Sequence, residues 1–310
     1  MNNPLPGGSG FYFRHQRERK YLTMSASETD VQSKKSAQGK TEKRIAILGC
    51  GKMGTILLQG FMKHGLINKG EAVATVQHEE RRRELARELP GVAVSTDNRA
   101  AVSGAPIVLL AVKPQVLPQV LDEIAPVLAP ETLLISIAAS TTTRFIQQHV
   151  SSHVHVVRAM PNTPAMVGAA MTALCAGATA RKHHMEMAKS LFESVGRAVI
   201  VDEKHMDAIT ALSGSGPAFT FVILESMAEA GVKVGLPREL ATTLAAQTLF
   251  GAAKLALETG HHPALLKDAV TTPAGCTIEG LIELEKGGLR VTLMNAVIKT
   301  TSRAAELMTS

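Results

Sequence analysis

The chain has no tryptophan, and aromatic residues make up only 3% of its 310 residues. The two tyrosines are Tyr12 and Tyr21, so the chain from residue 44 onward holds no phenol. This excludes, for that part of the chain, any enzyme class in which a tyrosine delivers the proton.

Cysteine is also scarce. The three cysteines, Cys50, Cys175 and Cys276, lie far apart in the sequence and form no Cys-x-x-Cys pair. This spacing argues against structural zinc and against a disulfide framework, and it favours a reducing compartment. We therefore expect a cytoplasmic protein without a metal cofactor.

Most of the positive charge lies in the first residues. The net charge is +6, but residues 1 to 44 hold nine Lys/Arg and four Asp/Glu, which gives +5 and leaves +1 for the rest. A nearly neutral body does not predict nucleic-acid binding. Residues 1–42 show no sustained apolar periodicity and are predicted to be disordered. No apolar run after them is expected to reach membrane-spanning length, so no membrane association is expected.

A glycine-rich turn follows the first β-rich segment. The apolar run that ends at Leu48 leads directly into Gly49-Cys50-Gly51-Lys52-Met53-Gly54, and helical apolar spacing follows from Thr55. The pattern G-x-G-x-x-G between a strand and a helix is typical of dinucleotide binding. Gly49 would make the turn, Gly51 would admit the pyrophosphate and Gly54 would let the helix pack on the sheet.

The next predicted strand, residues 72–77, ends without an acidic residue. Gln77 and His78 occupy its tip and Arg81-Arg82-Arg83 follow. A 2′-phosphate prefers neutral and cationic neighbours, so the sequence favours NADPH over NADH. The alternative is that Glu79 or Glu80 contacts the ribose and that the arginines form a solvated helix face.

Three further strands are predicted at 107–112, 132–137 and 154–157, at the spacing of a doubly wound α/β sheet. Ligands of such sheets bind beyond the carboxyl ends of the strands. The segments expected to meet there are Ala111 to Pro114, Ala138 to Ser140 and Arg158 to Pro164.

From about residue 205 the pattern becomes helical, so we place the dinucleotide domain at 43–204 and an all-helical domain at 205–310. Ser215 is predicted to cap a helix that has Pro217 in its first turn. A second helix is predicted from Pro237 to about 259, and a last one over 291–308. The Ala-rich faces at 241–257 are wide enough to favour a homodimer over a self-contained bundle.

One loop near the end of the chain combines hydroxyls with a helix start. An apolar helix runs into Thr271 and Thr272, Pro273 ends it, and Gly275 allows a turn before a helix predicted to begin at Thr277. The free N–H groups and the positive dipole at such a helix start suit a small carboxylate.

Missing residues also narrow the chemistry. No lysine lies between Pro217 and Leu224, where some hydroxyacid dehydrogenases place one, and ligands for catalytic zinc are missing at workable spacing. A carbonyl reductase therefore lacks an obvious acid. An imine nitrogen is basic enough to be protonated in solution, so hydroxyls and N–H groups would suffice to orient an imine substrate.

These motifs together resemble the pyrroline-5-carboxylate reductase family from about Lys43 to the end. The resemblance rests on the segments 49–54, 111–114, 158–164, 212–218 and 268–278. It implies a Rossmann domain, a helical dimerisation domain with interleaved copies and often a ring of dimers. It also implies NADPH or NADH as hydride donor, 1-pyrroline-5-carboxylate as substrate and L-proline as product.

The resemblance carries site residues over by position, with Thr277 as the catalytic residue. The cofactor residues it implies are Leu48, Gly49, Cys50, Gly51, Lys52, Met53, Gln77, His78, Asn98, Ala111, Val112, Lys113, Pro114, Ala138 and Ala139. The substrate residues it implies are Glu203, Thr272, Gly275, Cys276 and Thr277. The loop departs from the family pattern, since it reads Pro-Ala-Gly-Cys where Pro-Gly-Gly is common and Thr271-Thr272 replaces serines.

Two other functions are open from the sequence. The same fold could reduce another cyclic imine or a keto acid, against which the Thr-Thr-Pro-Ala-Gly-Cys-Thr loop argues. A non-catalytic NADP-sensing protein would use the helical domain to bind a partner, but it would be expected to have a degraded substrate loop.

Overall fold

The computed structural model describes residues 44–309, with side chains described for 44–307. The predicted disordered tail, 1–42, lies outside the described residues. The described part contains a sheet of eight strands followed by helices. The strands are β1 (Ile45–Leu48), β2 (Ala72–Thr75), β3 (Ala93–Ser95), β4 (Ile107–Leu110), β5 (Leu133–Ser136), β6 (His155–Met160), β7 (Ala170–Ala176) and β8 (Gly196–Ile200).

The strand order is β3-β2-β1-β4-β5-β6-β7-β8. The strands from β3 across to β6 are all parallel, β7 runs antiparallel to β6, and β8 runs parallel to β7. The order reverses between β1 and β4, which is where ligands bind in doubly wound sheets. The predicted α/β fold is confirmed. Several predicted strand ends lie one to two residues beyond the observed ones, and β3, β7 and β8 were not predicted.

Helices cover both faces of the sheet, and this explains the continuous apolar strands. The helices are α1 (Lys52–Lys63), α2 (Glu79–Glu88), α3 (Asn98–Val102), α4 (Leu117–Ile124), α5 (Thr143–His149), α6 (Lys182–Glu193), α7 (Met206–Ile209), α8 (Gly216–Lys233), α9 (Arg238–Thr259), α10 (Pro263–Val270), α11 (Cys276–Lys286) and α12 (Leu289–Thr309). All four residues of β1 are fully buried. Ile45 and Ile47 join the core that α1 and α6 cover, while Ala46 and Leu48 join the core that α4 covers.

Helix α8 begins at Gly216, directly after Ser215 as predicted, but the predicted side-chain cap at Ser215 is wrong. The chain is already helical from Met206, passes through a π-helical turn at Thr210–Gly214 and continues into α8. Ser215 has right-handed helical φ and ψ, and its side chain makes no capping hydrogen bond. Pro217 does lie in the first turn of α8.

The helices after the sheet leave much apolar surface in water. Ala241 and Ala245 are the only described residues of α9 that are buried, while Phe250 and Leu257 are 58% and 60% exposed. Two helical segments, Glu203–Lys233 and Arg238–Thr259, are long and apolar enough to cross a membrane by length and composition. The expectation that no apolar run reaches that length is wrong by this measure.

The described residues form one compact unit. The last helix, α12, packs on α7 and on the π-helical turn, and the Ser140 hydroxyl donates to the carbonyl of Ala304 at 3.0 Å. The predicted domain boundary at 204/205 stays a prediction, although the last strand, β8, ends at Ile200 and the next α-helix, α7, begins at Met206.

Candidate active site

A cleft of about 630 Å³ opens at the carboxyl ends of β1, β2 and β4. Eleven of the fifteen cofactor residues predicted above line it. They are Gly49, Cys50, Gly51, Lys52, Met53, Gln77, His78, Asn98, Ala111, Val112 and Lys113. The structure therefore brings segments that are up to 64 residues apart, from 49 to 113, to one surface.

The glycine turn has the geometry that a dinucleotide needs. Gly49 adopts a φ of +70°, and a side chain there would collide with Val112. A methyl group at Gly54 would press on Ala111 at 3.2 Å, so this glycine lets α1 pack closely on the sheet. At Gly51 the nearest atom to such a methyl group would be the Gly49 carbonyl oxygen at 3.9 Å, which leaves room for a phosphate to approach the backbone. The residues present fit a dinucleotide.

The cysteine in this turn is not reactive. Cys50 is fully buried, and burial raises the pKa of its thiol to about 11. Burial also raises the pKa of the Cys175 thiol to about 12. Both thiols therefore stay protonated at neutral pH and do not act as nucleophiles.

The β2 tip offers the cofactor neutral and cationic groups. Gln77, His78 and Arg81 line the cleft, whereas Glu79 and Glu80 are not among its described lining residues. Glu79 faces Arg82 and Arg83 along the exposed face of α2, and the Arg82 hydrogen bonds hold the pKa of Glu79 below its usual range.

Arg81 is partly engaged within its own helix. Its guanidinium donates to Glu84 at 3.0 Å and to Glu88 at 2.7 Å, so a phosphate in the cleft would compete with two carboxylates for this side chain.

Four predicted cofactor residues lie outside the described lining of the cleft: Leu48, Pro114, Ala138 and Ala139. Leu48 is fully buried in the core of the sheet, and Ala138 is 3% exposed. Their backbone groups could still face a ligand, so their binding roles stay predictions.

Several residues that line the cleft were not predicted, among them Thr75, Thr96, Gln119 and Glu123. Thr75 ends β2 and therefore lies at the ligand edge of the sheet, which is a signal that could have identified it. Glu123 lies within α4, where a glutamate in the sequence is indistinguishable from an ordinary surface residue.

The loop between α10 and α11 has the predicted form with small differences. Helix α11 begins at Cys276, one residue before the predicted start, and Gly275 is its N-cap residue with no side-chain cap. The first N–H groups of α11 therefore lack a helical partner and stay available for an anion. Ala274, in the position where the family pattern has glycine, adopts a φ of +55°.

The hydroxyls of this loop differ in their bonds. The Thr271 hydroxyl donates to the carbonyl of Lys267 at 2.8 Å, while the half-buried Thr277 makes no side-chain hydrogen bond to any described residue. Thr272 lies beside Gly275, whose N–H donates to the Thr272 carbonyl at 3.1 Å. None of these residues belongs to the described lining of the dinucleotide cleft. The substrate roles of Thr272, Gly275, Cys276 and Thr277 stay predictions.

The Glu203 carboxylate is held by contacts within the chain. It accepts from the N–H and the hydroxyl of Thr143, and the Arg158 guanidinium donates to it at 3.4 Å. Arg158 is 1% exposed and also faces Asp207 at 3.7 Å. These contacts make Glu203 a link between α5 and β6, and its predicted place near the substrate is not tested by them.

Three side chains of metal-ligand type meet away from the cleft. Ligand atoms of Glu131, His155 and His184 lie within 4.8 Å of one another. Two of their nitrogens already serve backbone groups, since His155 Nδ1 contacts the Thr179 carbonyl at 2.6 Å and His184 Nδ1 accepts from the Arg181 N–H at 3.1 Å. The two imidazole rings are stacked with centroids 3.8 Å apart, and His155 Nε2 lies 3.1 Å from Glu131 Oε2.

The fold and the cleft define a nicotinamide-dependent oxidoreductase with an added helical region. Residues 44–140 match the family model described as NADP oxidoreductase coenzyme F420-dependent, and 203–307 match that described as pyrroline-5-carboxylate reductase dimerisation. The chain belongs to the pyrroline-5-carboxylate reductase family, because it aligns with almost the full length of relatives of that name at 40–44% identity.

Sequence relatives and solved structures agree. The enzyme of Methanosarcina acetivorans is 44% identical over 85% of this chain and 97% of its own, and that of Pisum sativum is 40% identical over 85% and 95%. The Coxiella burnetii pyrroline-5-carboxylate reductase superposes with a TM-score of 0.78 at 35% identity over 86% of this chain and 99% of its own. The Plasmodium falciparum pyrroline carboxylate reductase, solved with NADP bound, gives 0.78 at 30% identity over 87% and 100%.

The dimerisation match explains the exposed helices. The two segments that are long enough to cross a membrane, Glu203–Lys233 and Arg238–Thr259, both lie within the matched region 203–307. Their apolar residues are those that a second subunit would cover.

Proposed function

We propose that this protein reduces 1-pyrroline-5-carboxylate to L-proline with NADPH, the last step of proline biosynthesis. The observation that carries the proposal is the combination of a dinucleotide cleft with the intact Thr272 to Thr277 loop at the start of α11. Relatives that cover this chain almost entirely are named for the same reaction. Another cyclic imine acid as substrate, and a non-catalytic NADP sensor, have no observation in their favour.

The residues divide the work between binding and orientation. The cleft would hold the dinucleotide, which supplies the hydride when bound. The unpaired N–H groups at the start of α11 would bind the substrate carboxylate. The free hydroxyl of Thr277 would orient the imine nitrogen, whose own basicity makes a strong protein acid unnecessary.

The direct test is NADPH oxidation with 1-pyrroline-5-carboxylate, followed by the loss of the absorbance of the reduced nicotinamide, with proline identified as product. We expect turnover with this substrate and none with keto acids of similar size. NADPH oxidation that leaves no proline would overturn the assignment.

We further propose that NADPH is preferred over NADH. Gln77, His78 and Arg81 line the cleft, and Glu79 is held by two arginines on the outer face of α2. The ratio of kcat/KM for the two cofactors measures the preference. Arg81→Gln should reduce this ratio about threefold to tenfold, whereas the outward-facing Arg83→Gln should leave it unchanged. A wild-type preference for NADH would contradict the proposal.

We also propose that the protein acts as a homodimer in the cytoplasm, with dimers assembled into a ring, and without nucleic-acid or membrane partners. The dimerisation match and the exposed helices support an oligomer. Light scattering at micromolar concentration would give the number of subunits. The mass of a single dimer, or a mass that is not a multiple of the dimer, would contradict the ring.

A further inference from the structure

A chain of hydrogen bonds runs beneath the cleft from the glycine turn to α4. The Gly49 N–H donates to the Thr75 hydroxyl at 3.3 Å, and that hydroxyl donates to Asn98 Oδ1 at 2.6 Å. Asn98 Nδ2 then donates to Glu123 Oε2 at 2.9 Å. Each donor meets an acceptor, and all four residues line the cleft. The chain joins four segments that are separate in sequence.

The donor and acceptor pattern fixes the Asn98 side chain in one orientation. Turning its amide over would place Oδ1 against the Glu123 carboxylate, and two acceptors that face each other repel. Thr75 is 1% exposed and therefore cannot exchange this bond for water. Glu123 is half-buried, so its carboxylate also holds the amide in a site that is only partly solvated.

An asparagine amide has two N–H donors, and Glu123 takes one of them. Among the described residues the second has no hydrogen-bond acceptor, while Asn98 itself lines the cleft. A donor held in this way suits a hydroxyl, phosphate or ring-nitrogen acceptor on a bound dinucleotide.

We propose that Glu123 is a positioning residue for the cofactor: it fixes the Asn98 amide so that the remaining N–H points at the dinucleotide. The proposal rests on the cofactor part of the proposed function. Glu123 acts through Asn98 and need not touch the dinucleotide. A carboxylate near phosphates is unfavourable in itself. Here the Glu123 carboxylate serves as the acceptor that fixes the Asn98 amide.

The test is a double-mutant cycle on NADPH affinity, measured by calorimetric titration of the full-length protein without substrate. Asn98→Ala and Glu123→Ala should each weaken NADPH binding about fivefold to tenfold, as expected for one hydrogen bond. The double variant should bind no more weakly than Asn98→Ala, because Glu123 has no route to the cofactor once Asn98 is gone.

Further variants separate positioning from charge and from folding. Glu123→Gln keeps an acceptor and should bind within about threefold of the wild type. Glu123→Asp keeps the charge but is one methylene shorter, so it should also weaken NADPH binding about fivefold to tenfold. It provides the test if the alanine variant folds poorly. Asp122→Ala, which removes the same charge one residue away where it contacts His149, should leave NADPH affinity unchanged.

Kinetics give an independent measurement. Glu123→Ala should raise the KM for NADPH and change kcat at saturating NADPH by less than about twofold, since only binding is affected. Additive losses in the cycle, or unchanged affinity in Glu123→Ala and Glu123→Asp, would overturn the proposal. Tight NADPH binding without proline formation would instead overturn the proposed reaction and leave this inference standing, whereas a wild-type protein that binds no dinucleotide would overturn both.

Discussion

Thr143 presents two donors to the single carboxylate of Glu203. Its N–H donates to Oε1 and its hydroxyl to Oε2, each at 2.7 Å, although the two residues are 60 positions apart. The carboxylate lies at the start of α5, where the helix dipole also favours negative charge. Arg158, nearly fully buried on β6, faces the same carboxylate and that of Asp207.

Loss of Arg158 should destabilise the protein strongly. Arg158→Met removes the cation and leaves the charges of Glu203 and Asp207 without their buried partner, which should lower the free energy of unfolding by about 3–5 kcal/mol. Chemical denaturation measures this change. Glu203→Gln should cost less, since it keeps an acceptor for Thr143, and the exposed Lys204→Met should cost less than about 0.5 kcal/mol. Equal effects for the buried and exposed sites would show that this cluster is not a stabilising element.

Removal of the Thr277 hydroxyl should impair catalysis. It lies in the first turn of α11 and makes no side-chain bond to the described residues, so it is free to contact the substrate. Thr277→Ala should lower kcat/KM by about tenfold to a thousandfold, and Thr277→Ser should recover most of it. Thr271→Ala is the matched control, because that hydroxyl is already bonded to Lys267. Unchanged kinetics in Thr277→Ala would remove this residue from the mechanism.

Acid should destabilise the protein through His184. Burial lowers the pKa of His184 from 6.5 to about 4, with contributions from His155 and His183, while Glu131 opposes the shift. Between these two pKa values the unfolded chain binds a proton that the folded chain does not, so stability falls as pH drops from about 6.5 to about 4.

Thermal unfolding as a function of pH measures this effect, which should amount to roughly 2 kcal/mol. His184→Asn keeps an acceptor for the Arg181 N–H and should flatten the profile between about pH 6 and pH 4.5. The exposed His261→Asn should reproduce the wild-type slope. A histidine-independent slope in all three proteins would assign the acid sensitivity to carboxylates instead.

The assembly surface can be tested at Phe250. This side chain is 58% exposed on α9, so Phe250→Glu should not disturb the core of one subunit but should place a charge in the interface. We expect light scattering to show dissociation at micromolar concentration. Met187→Glu, on the outer helix α6 and 41% exposed in the chain, should leave the mass unchanged. Ala245, although in the same Ala-rich segment, is buried within its own chain and would report on the wrong contact.

The sequence was most informative where the backbone itself performs the function. Gly49 and Gly54 were predicted correctly in role because only glycine tolerates their conformation and packing. The strand β7 was not predicted, because a strand that runs antiparallel in a mostly parallel sheet has no pattern in a single sequence that sets it apart. Glu123 was not predicted as a site residue, and no partner was predicted for Arg158. In both cases the contacts that give the residue its role come from residues far away in the sequence.

The side-chain cap predicted at Ser215 shows a different limit. A Ser-Gly-Ser-Gly-Pro segment has the residues of a helix N-terminus, and Pro217 does occupy a first turn. The preceding π-helical turn nevertheless keeps the chain helical, which is possible because tertiary packing against α12 outweighs local preference.

The solvent-exposed apolar faces of α8 and α9 make the stability of this protein depend on its concentration. When association buries surface that one chain leaves in water, folding and assembly form a linked equilibrium, and each tenfold dilution lowers the apparent stability by about 1.4 kcal/mol per dimer. Subunits of two different variants in one solution will also exchange and form hybrids. A catalytically silent chain with an intact α9 would therefore be incorporated into assemblies with active chains.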